Sequence, residues 1–280
     1  MFIKELTNEE FENFTEQYNI SSIYQTPEYG FVMNHQNNTS LFLGLSDGTN
    51  ILAASLILIE KIKGFKYAYA PRGFLIDYNN LSLLETFTKE IKKYLGKKSI
   101  VAIKISPLII KSIYDKKYNI LATNQYFDNI MNHLKKLGYY HFGFNQFFEA
   151  MKPRYEAIID LDIPYYLLFQ NIRKEIRTKI RSAEKNGVKV YKGTDKNLEY
   201  LYLQTKKKYP RDLEYYKDCY KYFKKHGKIE FFFTKLDTAK YLKVCTNRFH
   251  KQEEICNQFN KMLMTSNQDK LVKRKMEADK

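Results

Sequence analysis

IRKEIRTKIRSAEKNGVKV, from Ile172 to Val190, joins an apolar stripe of helical period to a dense row of positive charge. Ile172, Ile176, Ile180 and Ala183 recur at spacings of four, four and three, which sets them on one side of an α-helix facing a core. Arg177, Arg181 and Lys185 recur with the same period on another face. Seven basic residues against Glu175 and Glu184 leave that surface strongly positive. Asn186-Gly187 then supplies a helix stop before the β-prone Val188-Lys189-Val190. A positive helix that turns straight into a strand belongs to an α/β or α+β fold and is suited to a phosphate-bearing ligand.

Upstream, a unit boundary is expected near Lys152-Pro153-Arg154. Tyr155 to Leu161 reads as a strand, and Asp162-Ile163-Pro164 opens a helix as cap plus first-turn proline. Downstream, Leu198 to Lys208 and Leu213 to His226 are helical, and Gly227 separates the latter from a strand at Ile229 to Thr234. From Thr238 the chain becomes a long polar helix with a sparse seam of Val244, Phe249, Ile255, Phe259, Met262 and Leu263, which needs a partner to bury it. It ends in the highly charged Lys273–Lys280, so one arm of a helical hairpin is expected without its return arm.

The first half alternates helix and strand signals. Glu9 to Tyr18 is a short helix; Leu41 to Leu45 and Ile51 to Ile59 flank a Ser46-Asp47-Gly48 turn and form a β-hairpin. Tyr67 to Ala70 is a strand, Leu81 to Leu95 a helix, Ile100 to Ile105 a strand, and Asn129 to Leu137 a helix ending at Gly138. That order describes an α/β domain with a mixed sheet. The expected organisation is residues 1–150, 151–237 and 238–280: a first unit, an incomplete second unit, and the first helix of an arm.

The 280 residues carry a net charge of +16, and the charge is not spread evenly. Residues 1–150 hold 16 Lys+Arg against 14 Asp+Glu, whereas residues 151–280 hold 31 against 17. A Lys-, Asn- and Ile-rich coding bias would raise both halves, so the second half is electrostatically specialised towards polyanions. The acidic N-terminus lacks the apolar core of a signal peptide, and Ile51 to Ile59 is too short to span a bilayer, which points to a cytoplasmic protein. Cys219, Cys245 and Cys256 are odd in number and lack CxxC spacing, so they read as reduced thiols, neither a disulfide framework nor a zinc site.

No P-loop, GxGxxG or RxxGxG segment is present, which argues against nucleotide hydrolysis and acyl-CoA chemistry. No HExxH or clustered histidine set supports a metal, and His133 and His141 are assigned structural roles. YAPRGFLID, Tyr69 to Asp77, is more telling. Arg72 is the only arginine of the first 150 residues and lies between a proline and a glycine. A fixed turn would hold its planar fork for phosphate or carboxylate; the alternative is an Arg72–Asp77 pair that fastens the turn. Arg211, Tyr215 and Tyr216 after Pro210 offer either a charged aromatic wall or ordinary amphipathic packing.

Together these segments resemble the Fem family of tRNA-dependent aminoacyltransferases, which build the interpeptide bridge of peptidoglycan. YQTPEYG from Tyr24 is similar to the family's Gln-Ser-x-x-Trp-Gly segment, with Thr26 and Tyr29 as substitutions. YAPRGFLID is similar to its Tyr-x-Pro-Arg-Gly-Pro-x-x-Asp segment, with Phe74 replacing the proline. KPRYEAIIDL from Lys152, IRTKIRSAEKNGVKV, DLEYYKDCYKYF and Phe231 to Leu242 follow in the family's order.

The resemblance implies two GNAT-like units with a coiled-coil arm in the second and no metal or organic cofactor. The reaction it implies is transfer of Gly, Ala or Ser from aminoacyl-tRNA to a lipid-linked muropeptide precursor at the inner membrane face. Arg72, Arg177, Lys179, Arg181 and Lys185 are its candidates for precursor or phosphate binding, with Gln25 and Tyr29 as pocket walls; no catalytic residue is assigned. Met33-Asn34-His35 stands where the family commonly has a lysine. Family segments that follow the arm have no counterpart, so an incomplete and inactive chain is expected, and an unpaired arm helix is also a surface for self-association. The competing reading is a non-catalytic tRNA- or RNA-binding module using the basic helix 172–186.

Overall fold

The computed structural model describes residues 1–18, 22–144, 154–208 and 211–278. The Lys152-Pro153 boundary, Pro210 and the last two tail residues fall outside them. In chain order the first half forms β1 (Phe2–Glu5), α1 (Asn8–Gln17), α2 (Pro27–His35), β2 (Thr39–Ser46), β3 (Ile51–Ile62) and β4 (Phe65–Ala70). It continues with α3 (Leu81–Lys97), β5 (Ile100–Ile105), β6 (Ser112–Tyr114), β7 (Ile120–Thr123) and α4 (Phe127–Lys136). The second half forms α5 (Tyr165–Asn171), α6 (Lys174–Lys185), β8 (Val188–Lys192), α7 (Leu198–Thr205), α8 (Leu213–Lys225), β9 (Phe232–Leu236) and α9 (Thr238–Ala278). Two compact units result: Met1–Ala157 with Asp195–Glu230, and Ile158–Thr194 with Phe231–Lys280.

In the first unit, β1 to β5 lie side by side in sequence order. The first four strands pair antiparallel, and β5, after the crossover through α3, pairs parallel to β4. The uninterrupted apolar run of β3 follows from burial on both faces. Leu45, Ala53 and Ile57 pack with Leu84, Phe87 and Ile91 of α3 and Ile130 and Leu134 of α4. Phe42, Ala54 and Leu56 instead pack with Phe11 of α1, Val32 of α2 and Phe223 of α8. Each of the Leu, Ile, Val and Phe side chains among them contributes about 1.5–3 kcal/mol on full burial.

Local chemistry sets the element ends. Thr7 and Glu10 form a capping box on α1, Thr26 with Pro27 starts α2, Asn80 caps α3 and Asp212 caps α8. Gly138, at φ +86°, ends α4 as the sequence requires, with Tyr139 N–H reaching back to Leu134 O at 3.0 Å.

The second unit holds an antiparallel β8/β9 pair, the short α5, the basic α6 and the 41-residue α9. Three expectations change here. Tyr155 to Leu161 forms no strand: Ile158 is 88% exposed, because β-prone composition makes a strand only where a neighbouring edge offers hydrogen bonds. Pro164, not Asp162, occupies the N-cap of α5, and no side chain caps it. Helices α7 and α8, which fall between β8 and β9 in sequence, group with the first unit; Tyr215, Cys219 and Phe223 of α8 join the cluster that contains Tyr29 and Val32.

Candidate functional site

Within the five-stranded sheet only β4 and β5 end side by side in the same direction, and carboxyl ends of parallel strands are where open α/β sheets bind ligands. The chain leaves β4 there through Pro71-Arg72-Gly73. Strand β3 pairs with Tyr69 at Leu58 and with Leu75 at Ala54, so six steps on one side oppose four on the other. The excursion strands Leu56, whose backbone groups lose their neighbour.

Gln25 fills the gap. Its Oε1 accepts from Leu56 N–H at 2.8 Å, and its Nε2 donates to Leu56 O at 3.3 Å and to Pro71 O at 2.7 Å. A carboxamide carries the donor and acceptor of a peptide group, so Gln25, 1% exposed, completes the sheet where β4 has left it. Gln25 is therefore committed to backbone and forms no open pocket wall. Gly73 is required beside it: a Cβ there would lie 2.6 Å from Ser55 Oγ and 2.9 Å from Gln25 Nε2.

Arg72 sits at the apex in the left-handed region, φ +55°. Its N–H donates to Ser106 Oγ at 3.0 Å, and that oxygen lies 3.1 Å from Tyr69 Oη, so residues ending both parallel strands hold the turn. The guanidinium, 11% exposed, pairs with Glu156, whose carboxylate is half-exposed. Asp77 is not its partner; Asp77 Oδ1 accepts from Asn79 N–H at 2.9 Å. A cavity of about 590 Å³ opens beside Arg72, walled by Phe74, Ile76, Asp77, Leu108 and Lys111.

Tyr29 is buried at 8% exposure, with its ring edge-on to Tyr24 at 5.1 Å. Burial pushes its phenol up to about 12; Tyr24 and Tyr69 add to the rise and the Arg211 guanidinium opposes it. Arg211 lies 4.8 Å over the Tyr215 ring, and burial pushes that phenol up as well. The first unit thus brings Gln25, Tyr29 and Arg72 together with Tyr69, Ser106 and Arg211. Tyr215 packs in the core and stacks the Arg211 cation.

The second unit carries the other candidates on α6. Lys179, Arg181 and Lys185 are exposed, and none has a carboxylate at ion-pair distance among the described residues. Arg177 is half-buried, with its Nε out of solvent and unpartnered, so it does not share their exposed face. The expected apolar stripe is loose. Ile172 precedes the helix, Ile176 is 42% exposed, and no residue of α6 is buried.

One potential metal-ligand group exists among the described residues: Glu12, Glu28 and His226. Lys228 Nζ stands 2.7 Å from a carboxylate oxygen of both Glu12 and Glu28, so an ammonium already takes the cation's place. The described residues include no helix long and apolar enough to cross a membrane.

Ser106, Tyr69 and Glu156 were not singled out from sequence, because the parallel pairing that makes strand ends converge is a long-range fact. The available signal was Ser106 directly after the Ile100–Ile105 strand.

A model of the FemAB family matches residues 6–280. Aminoacyltransferase FemB of Staphylococcus epidermidis is 32% identical over 199 residues, covering 68% of this chain and 46% of that protein. Aminoacyltransferase FemA of the same species is 29% identical over 189 residues, covering 66% and 45%. The chain therefore spans about half the length of these curated relatives. The crystal structure of FemX is similar in fold, with a TM-score of 0.69 at 20% identity over 96% of this chain and 66% of that one. Matched along nearly its whole length by the family model, the chain belongs to the FemAB family.

Proposed function

We propose that this chain is the precursor-binding part of an aminoacyltransferase that adds Gly, Ala or Ser from aminoacyl-tRNA to the amine of a lipid-linked peptidoglycan precursor, during interpeptide bridge formation. The observation that carries the reading is the Arg72 turn. A guanidinium at the convergent ends of two parallel strands, carried on a backbone turn fixed through Ser106 and Gln25 and lining a cavity, is suited to a bidentate anion. Glu156 pairs with it from a half-exposed position, and a phosphate or carboxylate of the precursor would take that place.

The domain reading that goes with this is two GNAT-like units, the second leading into the α9 arm. The exposed Lys179, Arg181 and Lys185 supply a second anion surface, suited to tRNA or to the precursor's pyrophosphate. An aminoacyl ester is already activated, so the reaction needs an oriented amine, removal of its proton and stabilisation of an oxyanion, without metal or organic cofactor. The work is done at the inner face of the membrane, where a lipid-linked precursor is reached.

The test is transfer of labelled amino acid from aminoacyl-tRNA to precursor, alongside binding of the soluble precursor to this chain. Saturable binding that Arg72→Ala weakens supports the reading; absence of both transfer and binding refutes it. The exposed cations of α6 favour one second reading, an RNA-binding module without catalysis. It requires salt-sensitive tRNA binding together with indifference to the precursor.

A further inference from the structure

Ile110 to Tyr126 forms a protruding hairpin that the proposed reaction leaves unused. Strands β6 and β7 pair with each other, Ile113 opposite Ala122 and Tyr114 opposite Ile120, and with no other strand among the described residues. An isolated two-stranded hairpin is marginal in water, and its apolar side chains normally rest on a core. Here they are in solvent: Ile113 is 49% exposed, Ile120 61%, Leu121 66% and Tyr118 87%. Yet its base is fixed. Asn124 N–H donates to Lys111 O at 2.8 Å and its Nδ2 to Ile110 O at 3.2 Å, while Lys111 Nζ lies 5.1 Å over the ring of buried Phe127.

Charge adds a direction. Lys111, Lys116 and Lys117 stand against one acid, Asp115. That carboxylate is turned into the hairpin, accepting from Lys117 N–H at 2.7 Å and from Asn119 N–H and Nδ2 at 2.8 Å each. We infer that this hairpin is a membrane-contact element: Tyr118, Ile120 and Leu121 enter the interfacial zone of an anionic phospholipid bilayer while Lys117 beside them meets its headgroups. Tyrosine, aliphatic tip and lysine together are the composition of an interfacial anchor. Single-stranded RNA is held by aromatic stacking; Tyr114, Tyr118 and Tyr126 are exposed here, but so are the aliphatic Ile110, Ile113, Ile120 and Leu121, which suit acyl chains rather than bases. A protein partner would need only one face, whereas apolar side chains of both strands and the loop are exposed.

The same hairpin lends Lys111, Ile113 and Ala122 to the wall of the cavity that contains Arg72. Docking would therefore present that cavity to the bilayer surface; this consequence rests on the lipid-linked precursor reading, whereas membrane contact itself does not.

The chain has no tryptophan, so Tyr118→Trp introduces a single reporter. Vesicles of phosphatidylcholine alone and of equal parts phosphatidylcholine and phosphatidylglycerol, without precursor, are the probes. The expected result is a blue shift and quenching by brominated lipid on the anionic vesicles, with Phe65→Trp, at the opposite end of β4, unshifted. Lys117→Glu should sediment with those vesicles at least about fivefold more weakly. Ile120→Ser/Leu121→Ser should abolish the blue shift. Circular dichroism and melting confirm that each variant folds. An unshifted reporter on vesicles that the chain binds, hairpin variants that bind like the parent, or a shift with tRNA and none with vesicles would each overturn the inference. Loss of precursor binding at Arg72 with the reporter still shifting would remove the precursor reading and leave the hairpin.

Discussion

Replacing Gln25 by leucine tests whether a side chain completes the sheet beneath the Arg72 turn. The substitution nearly conserves volume but removes every hydrogen bond of the carboxamide. Leu56 N–H and Pro71 O are left without partners at a site 1% exposed, while Leu56 O keeps Ser55 Oγ at 3.2 Å. Each stranded group costs about 1–3 kcal/mol, and the apolar gain of leucine offsets part of it, so a net loss of about 3 kcal/mol is expected. For a unit of this size that is a fall in Tm of about 6–12 °C, read by urea and thermal unfolding with the slope m unchanged. Gln25→Glu refines the test. The introduced carboxyl accepts but cannot donate when ionised, and burial raises its pKa in the folded state above the unfolded value. Its destabilisation is therefore largest near about pH 7 and shrinks as the pH falls through that raised pKa, where the proton restores a donor towards Pro71 O. A leucine variant within about 1 kcal/mol of the parent, or a glutamate variant whose deficit does not depend on pH, would refute the reasoning.

Gly73→Ala forces a Cβ to within 2.6 Å of Ser55 Oγ; an overpacking loss of about 1–3 kcal/mol is expected in urea unfolding, with weaker precursor binding. Lys228→Met strands the buried Glu28 beside Glu12 and should cost about 3–5 kcal/mol, checked by the shift in urea midpoint. Lys228 holds Glu12 below its ordinary 4.5, so that pairing's contribution is complete above 4.5 and lost as the pH falls through the lowered value. Acid titration of parent and Lys228→Met should show that loss only in the parent. Arg181→Glu/Lys185→Glu should cost only about 1–2 kcal/mol, because both side chains are exposed and the losses are the Arg181–Phe169 stack and the cation at the α6 C-terminus, and should reduce the salt dependence of tRNA binding by about two counterions per complex on filter retention.

The mixed sheet was legible because Ile51 to Ile59 and Ile100 to Ile105 are apolar runs bounded by turn residues; burial on both faces explains why Ile51 to Ile59 does not alternate, whereas the edge strand Ile100 to Ile105 packs one face only and leaves Val101 57% exposed. Gly138 was legible because capping is local chemistry, whereas α2, which starts at Thr26-Pro27, is not among the elements expected from sequence. Tyr155 to Leu161 was misread because strand formation depends on an available edge, which no single segment reports. The grouping of α8 with α2 was hidden for the same reason: sequence neighbours suggested β8 and β9, and the apolar face of Val32 and Tyr29 decided otherwise. In the candidate site, Arg72 stood out by its rarity and its Pro–Gly flanks. The sheet-completing place of Gln25 is not legible in the sequence, since whether a polar side chain lines a pocket or completes a sheet depends on where the opposite strand stops.

Isothermal titration of soluble precursor into the parent chain, Arg72→Lys and Arg72→Ala tests most directly whether the Arg72 turn holds an anionic group of the peptidoglycan precursor. The expected result is saturable binding by the parent, weakened about tenfold or more in both variants with their folded circular dichroism spectra retained, because lysine keeps the charge but loses the planar fork. Equal affinity in all three proteins, or no binding by the parent, would contradict it.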